Sequence, residues 1–424
     1  MKRKDVKKMS SALNELEEKS KDIFTTKKSK ISYPLGFPIL DQLLGCKYIY
    51  SYPDGTTRTE VHLGIPAGTF TMFLGASQSG KTTASIQAAW NIVEPFDEYA
   101  YVVHDDGEDS ATYERVQGVT GANTTELKEK YKIVPAYKVN TYDQILEQIV
   151  DIAKEKKADK KNYTYNTGKK DFWGNDIIEY KPTVIIMDSL MKFTSSGEET
   201  DEISDAFSGG REAVARGKFM RNALEYMGEY NINIFIIHHW SVDMRQGYTN
   251  REKQLPNLPT GKYVTGGDKV LLYCSSIILF SPQNSKDGVK TEDVNGYNGR
   301  PVDALLSKTR TSAGGTAAHL EFVQEAGFDP RLTLMNFAKE KKLIIGVNPK
   351  SKFACDPDVT FDTRKFIEEI AERPEIIRTL YKECLPLLND MIPWMDVSST
   401  DAIRGGKAKV DSRAMLRDMY SNFN

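Results

Sequence analysis

Cysteine is scarce in this chain. Its four thiols, Cys46, Cys274, Cys355 and Cys384, lie far apart with no Cys-x-x-Cys pair. That spacing argues against a zinc site or a disulfide framework and suits a reducing compartment. Long apolar runs are missing too: none reaches the roughly 18 residues that a membrane-spanning helix needs. The basic start, Met1 to Lys8, is not followed by an apolar segment, so no secretory leader is expected. These absences point to a cytoplasmic protein with no membrane partner. A dominant charge is also lacking. The net charge is −2, from 57 Lys and Arg against 59 Asp and Glu. Affinity for nucleic acid would therefore have to come from local basic patches. What remains is ordinary for a globular protein, 40% hydrophobic and 27% charged residues, in a chain long enough to hold more than one unit.

The most specific stretch is Gly75-Ala-Ser-Gln-Ser-Gly80-Lys81-Thr82, a full match to G-x-x-x-x-G-K-[ST]. The run before it, Thr69 to Leu74, reads as a short buried strand. The run after it, Thr83 to Trp90, reads as the first turns of a helix. In that setting backbone N–H groups curl around phosphate oxygens, and the helix N-terminus adds partial positive charge. Gly75, Ser77, Gln78, Ser79, Gly80, Lys81, Thr82 and Thr83 are the expected nucleotide-binding residues. Lys81 can reach the β- and γ-phosphates of ATP, and the Thr82 hydroxyl can ligate Mg2+.

Around this loop the chain divides into residues 1–30, a helix and arm; 31–344, an α/β core; and 345–424, a small helical C-terminal module. Val6, Met9, Leu13 and Leu16 recur at helical spacing within 5–22. Gly36 to Gly45 reads as a turn and short helix, and Pro53-Asp54-Gly55 signals a hairpin. Four apolar runs, Tyr99–His104, Val184–Met187, Ile232–Ile237 and Ser275–Phe280, read as buried parallel strands. Helices are expected at Thr141–Ala153 and Ala213–Glu229. Alternating strands and helices imply a mainly parallel central sheet covered on both faces, with ligands at the carboxyl ends of its strands. Residues 154–181 interrupt the pattern with Lys154, Lys156, Lys157, Lys160, Lys161, Lys169 and Lys170 beside Tyr163, Tyr165 and Trp173. They read as a basic insertion with a hairpin around Asn166-Thr-Gly168, either a nucleic-acid contact or a solvated excursion. In the C-terminal module, helices are expected at Thr363–Glu372, Pro374–Leu388 and Ser412–Tyr420.

Several strand ends carry chemistry. Val184-Ile-Ile-Met-Asp188 is a hydrophobic strand ending in a carboxylate, which places Asp188 to hold Mg2+. Tyr99–His104 runs into Asp105-Asp106-Gly107-Glu108-Asp109, whose carboxylates can orient or deprotonate an attacking water. Ile232–Ile237 ends in His238-His239, where a side chain can sense a γ-phosphate. Metal binding by the histidine pair is the rival, disfavoured because adjacent strand residues point apart.

Together these residues resemble the RecA/RadA recombinase superfamily, and most of all the UvsX-type recombinases of bacteriophages. The likeness covers roughly residues 31–344 and, weakly, the C-terminal module. It implies a RecA-type P-loop ATPase core. Matching the family's catalytic glutamate lands on Asp106, one methylene shorter, with Glu108 as the alternative. Tyr113 matches the adenine-stacking tyrosine, and His239 falls at the γ-phosphate sensor. Lys308 and Arg310 match a pair of cations that reach across the subunit interface. Phe24-Thr25-Thr26 resembles the family's polymerisation motif. Two loops that bind single-stranded DNA in the family correspond to Phe193–Lys218, with Arg211, Arg216 and Lys218, and to Ser241–Gly267, with Arg245, Tyr248, Arg251, Lys253, Lys262 and Tyr263.

The resemblance implies a DNA-dependent ATPase of DNA recombination and repair. Using ATP and Mg2+, it would form helical filaments on single-stranded DNA through the Phe24 arm and pair that strand with duplex DNA. The resemblance also implies mediator and single-strand-binding proteins as partners, and a host cytoplasm as the compartment if the chain is phage-encoded. The rivals are a hexameric helicase on the same core and a nucleotide-gated single-strand-binding mediator with weak hydrolysis.

Overall fold

A computed structural model describes residues 31–51, 56–171, 175–195, 208–242, 262–264, 272–283, 292–311 and 314–398. The helix expected at 5–22, Phe24, and the helix expected at 412–420 lie outside them. By compactness the chain divides into two units, residues 1–30 with 166–178, and the remainder.

The larger unit is α/β. Its ten-stranded mixed sheet contains β1 (Phe70–Gly75), β2 (Tyr101–Asp106), β3 (Tyr131–Pro135), β4 (Thr183–Asp188), β5 (Ile232–His238), β6 (Ser276–Pro282), β7 (Glu292–Val294), β8 (Tyr297–Thr309), β9 (Ala317–Val323) and β10 (Gly327–Phe328). The order is β10-β9-β8-β6-β1-β5-β4-β2-β3, with β7 on β8. From β3 to β6 every pairing is parallel. β7 to β10 add an antiparallel extension through β8. All four expected parallel strands are present, and β3 is an edge strand that the apolar runs do not signal.

Every residue of β1, β4 and β5 is buried, because helices cover both faces of the sheet. On one face Phe70, Met72, Ile185 and Ile234 pack against Ile145 and Ile149 of α2 (Tyr142–Ala158) and Met220, Ala223 and Met227 of α3 (Ser208–Tyr230). On the other, α1 (Lys81–Val93) buries Ala84, Ala88 and Trp90 beside Phe73, Phe235 and Phe280. Phe73 stacks on Phe280 at 5.8 Å. Thr141 starts α2 by accepting from the Gln144 N–H, and Gln144 returns the bond to complete a capping box.

Residues 345–398 fall in the larger unit; the helices expected at 363–372 and 374–388 are present as Phe366–Glu372 and Pro374–Met391, and short strands accompany them. The segment opens with a three-stranded sheet (Ile344–Ile345, Ser351–Phe353, Thr360–Phe361). Then α5 (Pro374–Met391) packs on α4 (Pro330–Glu340) and on the helix Pro38–Leu44. Finally the strand Trp394–Ser398 pairs in parallel with Cys46–Ser51. Cys46–Ser51 also pairs with Thr57–His62, as the hairpin signal predicts.

In the smaller unit, parts of the strands Thr164–Lys170 and Asp176–Tyr180 form a hairpin. Lys170 Nζ lies 2.8 Å from Asp176 Oδ1, and the Thr167 hydroxyl donates to the Ile177 carbonyl at 2.9 Å. The expected turn at Asn166–Gly168 is misplaced: Gly168 sits at φ +69° inside the strand Thr164–Lys170. The basic cluster needs a second correction. Lys156 is fully buried and donates to the Lys181 and Tyr230 carbonyls at 2.8 and 2.9 Å.

Candidate functional site

The loop between β1 and α1 is held in a shape few sequences permit. Gly80 has φ +89°, and a Cβ there would lie 2.9 Å from Phe328 Cζ. A Cβ at Gly75 would lie 2.5 Å from Ser79 Oγ and 2.6 Å from the Phe280 carbonyl. Gly75 and Gly80 thus let the backbone close tightly, as an anion cradle at a helix N-terminus needs. Ser77 and Gln78 at the loop's tip are exposed, and Ser79 is buried. Gln78 adopts φ +60°, and its carbonyl accepts from the Arg300 guanidinium. Arg300 stacks over Phe322 at 5.3 Å and so clamps the loop from β8. Nothing in the sequence around Arg300 signals this role.

Lys81 is 4% exposed. Its Nζ donates to the Ala76 carbonyl at 2.6 Å and lies 3.5 Å from both Ser79 Oγ and His239 Nδ1. Burial pulls the ammonium down to about 8, against the opposing pull of Asp188 and Glu108. Thr82 follows at the first turn of α1. Thr83 accepts from the Arg115 guanidinium at 2.8 Å, which ties the helix Tyr113–Thr120 to α1. Tyr113 opens that helix, 45% exposed.

The strand ends bring the acidic residues in beside the lysine. Asp188 is level with Asp106 in the parallel register of β4 and β2. Asp188 is 1% and Asp106 2% exposed. Asp106 Oδ2 accepts from the Ala111 N–H at 2.7 Å. Asp106 Oδ1 and Asp188 Oδ2 are buried without a hydrogen-bond donor. Acceptors left so suit a cation.

Glu108 has a different setting. It is exposed, its Oε1 accepts from the Ser189 hydroxyl at 2.8 Å and lies 4.0 Å from His239 Nε2. The chain Ser189–Glu108–His239–Lys81 therefore crosses the carboxyl ends of β4, β2, β5 and β1. Burial, and then the charge of Lys81, hold the His239 imidazole below its usual range. His238 is buried while His239 faces Lys81, so the two rings diverge as strand alternation requires. Asp105 points to the other face, 3.4 Å from the Gln148 amide on α2, and burial raises its carboxyl to about 7. Arg115 and Arg300 are the site neighbours that sequence reasoning missed.

Lys308 and Arg310 lie elsewhere. Lys308 pairs with Ile277, which pairs with Met72 near the start of β1. Arg300, which touches the loop, sits eight residues earlier in β8, about 26 Å away along a strand. The two cations instead donate to the Leu272 carbonyl, at 3.2 and 3.1 Å. Both are thus engaged toward the start of β1, away from the loop at its carboxyl end.

Of the expected DNA-binding residues, Arg211, Arg216 and Lys218 fall on α3 rather than in a loop. Lys218 is exposed. Arg216 is a correction: it is 2% exposed, donates to the Tyr142 hydroxyl at 2.9 Å and pairs with Glu212. Its guanidinium has no access to a phosphate backbone. Lys262 and Tyr263 lie on a short strand, Lys262–Val264, paired with Trp240–Val242. Arg245, Tyr248, Arg251 and Lys253 lie outside the described residues.

The fold and site define an α/β chain with a loop of the phosphate-cradling sequence pattern at the carboxyl end of a mixed sheet. No protein-family model matches the sequence, and no curated protein matches it. Among the described residues no helix is long and apolar enough to cross a membrane.

Proposed function

We propose that the chain is an ATP-dependent DNA recombinase of the RecA/RadA type, most similar to the UvsX-type recombinases of bacteriophages. The observation that carries this reading is the cluster in which Lys81, Glu108, Asp188 and His239 meet from four strand ends. The triphosphate lies along Gly75–Thr83, with Tyr113 against the adenine. Thr82 and Asp188 hold Mg2+, which offsets the charge of the phosphates. Lys81 neutralises the β- and γ-phosphates.

Glu108, steadied by Ser189, orients the attacking water and takes its proton as the water oxygen bonds to the γ-phosphorus and ADP leaves. Asp106 is less suited to that step, because it is buried and one of its oxygens is engaged by Ala111. His239, between Glu108 and Lys81, reports whether a γ-phosphate is present. Lys308 and Arg310 complete the site of the next subunit, where their charge stabilises the transition state. Their distance from their own loop supports a polymer in which each site needs two chains.

Filling the site orders Arg211, Lys218 and the segment containing Arg245, Tyr248, Arg251, Lys253 and Lys262 around single-stranded DNA. Polymerisation proceeds through the Phe24 arm. The test is ATP-dependent joint-molecule formation between single-stranded and homologous duplex DNA. Joint molecules that form with wild-type protein and vanish with Lys81→Ala support the reading. Their absence when both ATP and single-stranded DNA are bound refutes it.

A further inference from the structure

Beneath the loop, β2 and β4 present three ligand-type side chains on one face of the sheet. Asp106 pairs with Asp188 and His104 with Ile186. His104, two residues before Asp106, therefore shares its face. His104 Nε2 lies 3.7 Å from Asp188 Oδ2. One ligand atom from each of His104, Asp106 and Asp188 lies within 4.8 Å of the other two. The three residues are 0%, 2% and 1% exposed. His104 Nε2, Asp106 Oδ1 and Asp188 Oδ2 all lack a hydrogen-bond partner. Buried polar atoms are normally paired, so three orphans from neighbouring side chains call for a common partner.

The surrounding contacts prepare these atoms as ligands. His104 Nδ1 lies 3.0 Å from the hydroxyl of Tyr131, itself fully buried. An Nδ1–H donated to that oxygen leaves the Nε2 lone pair facing the carboxylates, the usual outer support of a metal-bound histidine. The Ala111 N–H occupies the other oxygen of Asp106. Nitrogen and oxygen ligands about 2.1 Å from a tetrahedral ion stand about 3.4 Å apart. The 3.7 Å between His104 and Asp188 needs to close only slightly. An imidazole with two carboxylates favours Mn2+, Co2+ or Zn2+, whereas Mg2+ prefers an all-oxygen shell.

We propose that His104, Asp106 and Asp188 form a binding site for a divalent transition-metal ion under the nucleotide loop. The site shares Asp188 with the Mg2+ proposed to accompany a triphosphate but adds the His104 nitrogen and Asp106, and it stands on these three residues alone, whether or not the chain is a recombinase.

The test uses full-length protein stripped with a chelator and kept free of nucleotide. Mn2+ binding is followed by electron paramagnetic resonance, and Co2+ binding by the visible absorption that nitrogen ligation confers. One ion per chain, retained in excess Mg2+, is expected. His104→Gln should weaken binding at least tenfold and remove the nitrogen signature. Tyr131→Phe, which keeps every ligand, should weaken it about tenfold with the circular dichroism unchanged. Binding of a fluorescent ATP analogue to the same variants separates this site from the nucleotide reading. An ion fully displaced by Mg2+ overturns the proposal, as does wild-type affinity in both variants. So does the absence of any bound ion.

Discussion

Glu108→Gln is the sharpest perturbation of the proposed chemistry. Gln keeps the length of the side chain and can still accept from the Ser189 hydroxyl, now 2.8 Å from Glu108 Oε1, so position is preserved and basicity is lost. Loss of a general base costs about 10²- to 10⁴-fold in rate. At about 1.36 kcal/mol per tenfold, that is about 3–5 kcal/mol of barrier. Ser189→Ala leaves the carboxylate but frees it, and should cost about tenfold, in the range of one hydrogen bond to a charged group. Asp106→Asn should spare the step more than Glu108→Gln, because Asp106 is buried and bonded to Ala111. Phosphate release with saturating ATP and single-stranded DNA measures turnover, and a fluorescent ATP analogue measures binding. Glu108→Gln should lose turnover with binding intact. A Glu108→Gln rate within threefold of wild type, beside an inactive Asp106→Asn that still binds nucleotide, would transfer the role to Asp106.

Other consequences follow from individual positions. Lys81→Ala and Lys308→Ala, each inactive alone, should regain ATP turnover when mixed, because each supplies what the other lacks; no recovery would argue that the pair does not act across subunits. Arg216→Ala should lower stability by about 3–5 kcal/mol by leaving Glu212 and Tyr142 without their cation, with no change in the salt dependence of DNA binding; Lys218→Ala should reduce that salt slope by about one with stability unchanged. Burial raises the Asp41 carboxyl to about 7 against the N–H bonds from Leu35 and Gly36. A carboxyl raised in the folded state contributes stability below its unfolded value of 3.8 that is lost as pH rises through about 7. Asp41→Asn should therefore flatten the fall of the urea midpoint across that window, and an unchanged slope would refute the assignment.

Much of the sheet is legible in the sequence for a physical reason. Strands buried on both faces must be continuous apolar runs, and Phe70–Leu74, Val184–Met187 and Ile232–Ile237 are such runs beside a glycine-rich loop. Tyr131–Pro135 escapes notice because it is a half-covered edge strand carrying Lys132 and ending in Pro135. Asn166-Thr-Gly168 reads as a turn because a glycine at positive φ serves a turn and a strand irregularity equally well. The burial of Lys156 and Arg216 is invisible in composition. It depends on which carbonyls and which tyrosine distant segments deliver to the cation. His104 belongs to the same class: its place beside Asp188 follows from the pairing of β2 with β4, which no local pattern encodes. The loop residues, Asp188 and His239 are legible because each sits at a strand end, where a parallel sheet gathers its ligands.

The central claim is that a nucleotide held at Lys81 is completed by Lys308 and Arg310 of a neighbouring chain and thereby orders a grip on single-stranded DNA. Electron microscopy of the protein with a non-hydrolysable ATP analogue and single-stranded DNA tests it most directly. The account predicts continuous helical filaments that are lost on Lys308→Ala. Isolated monomers or closed rings, with nucleotide and DNA both present, would contradict it.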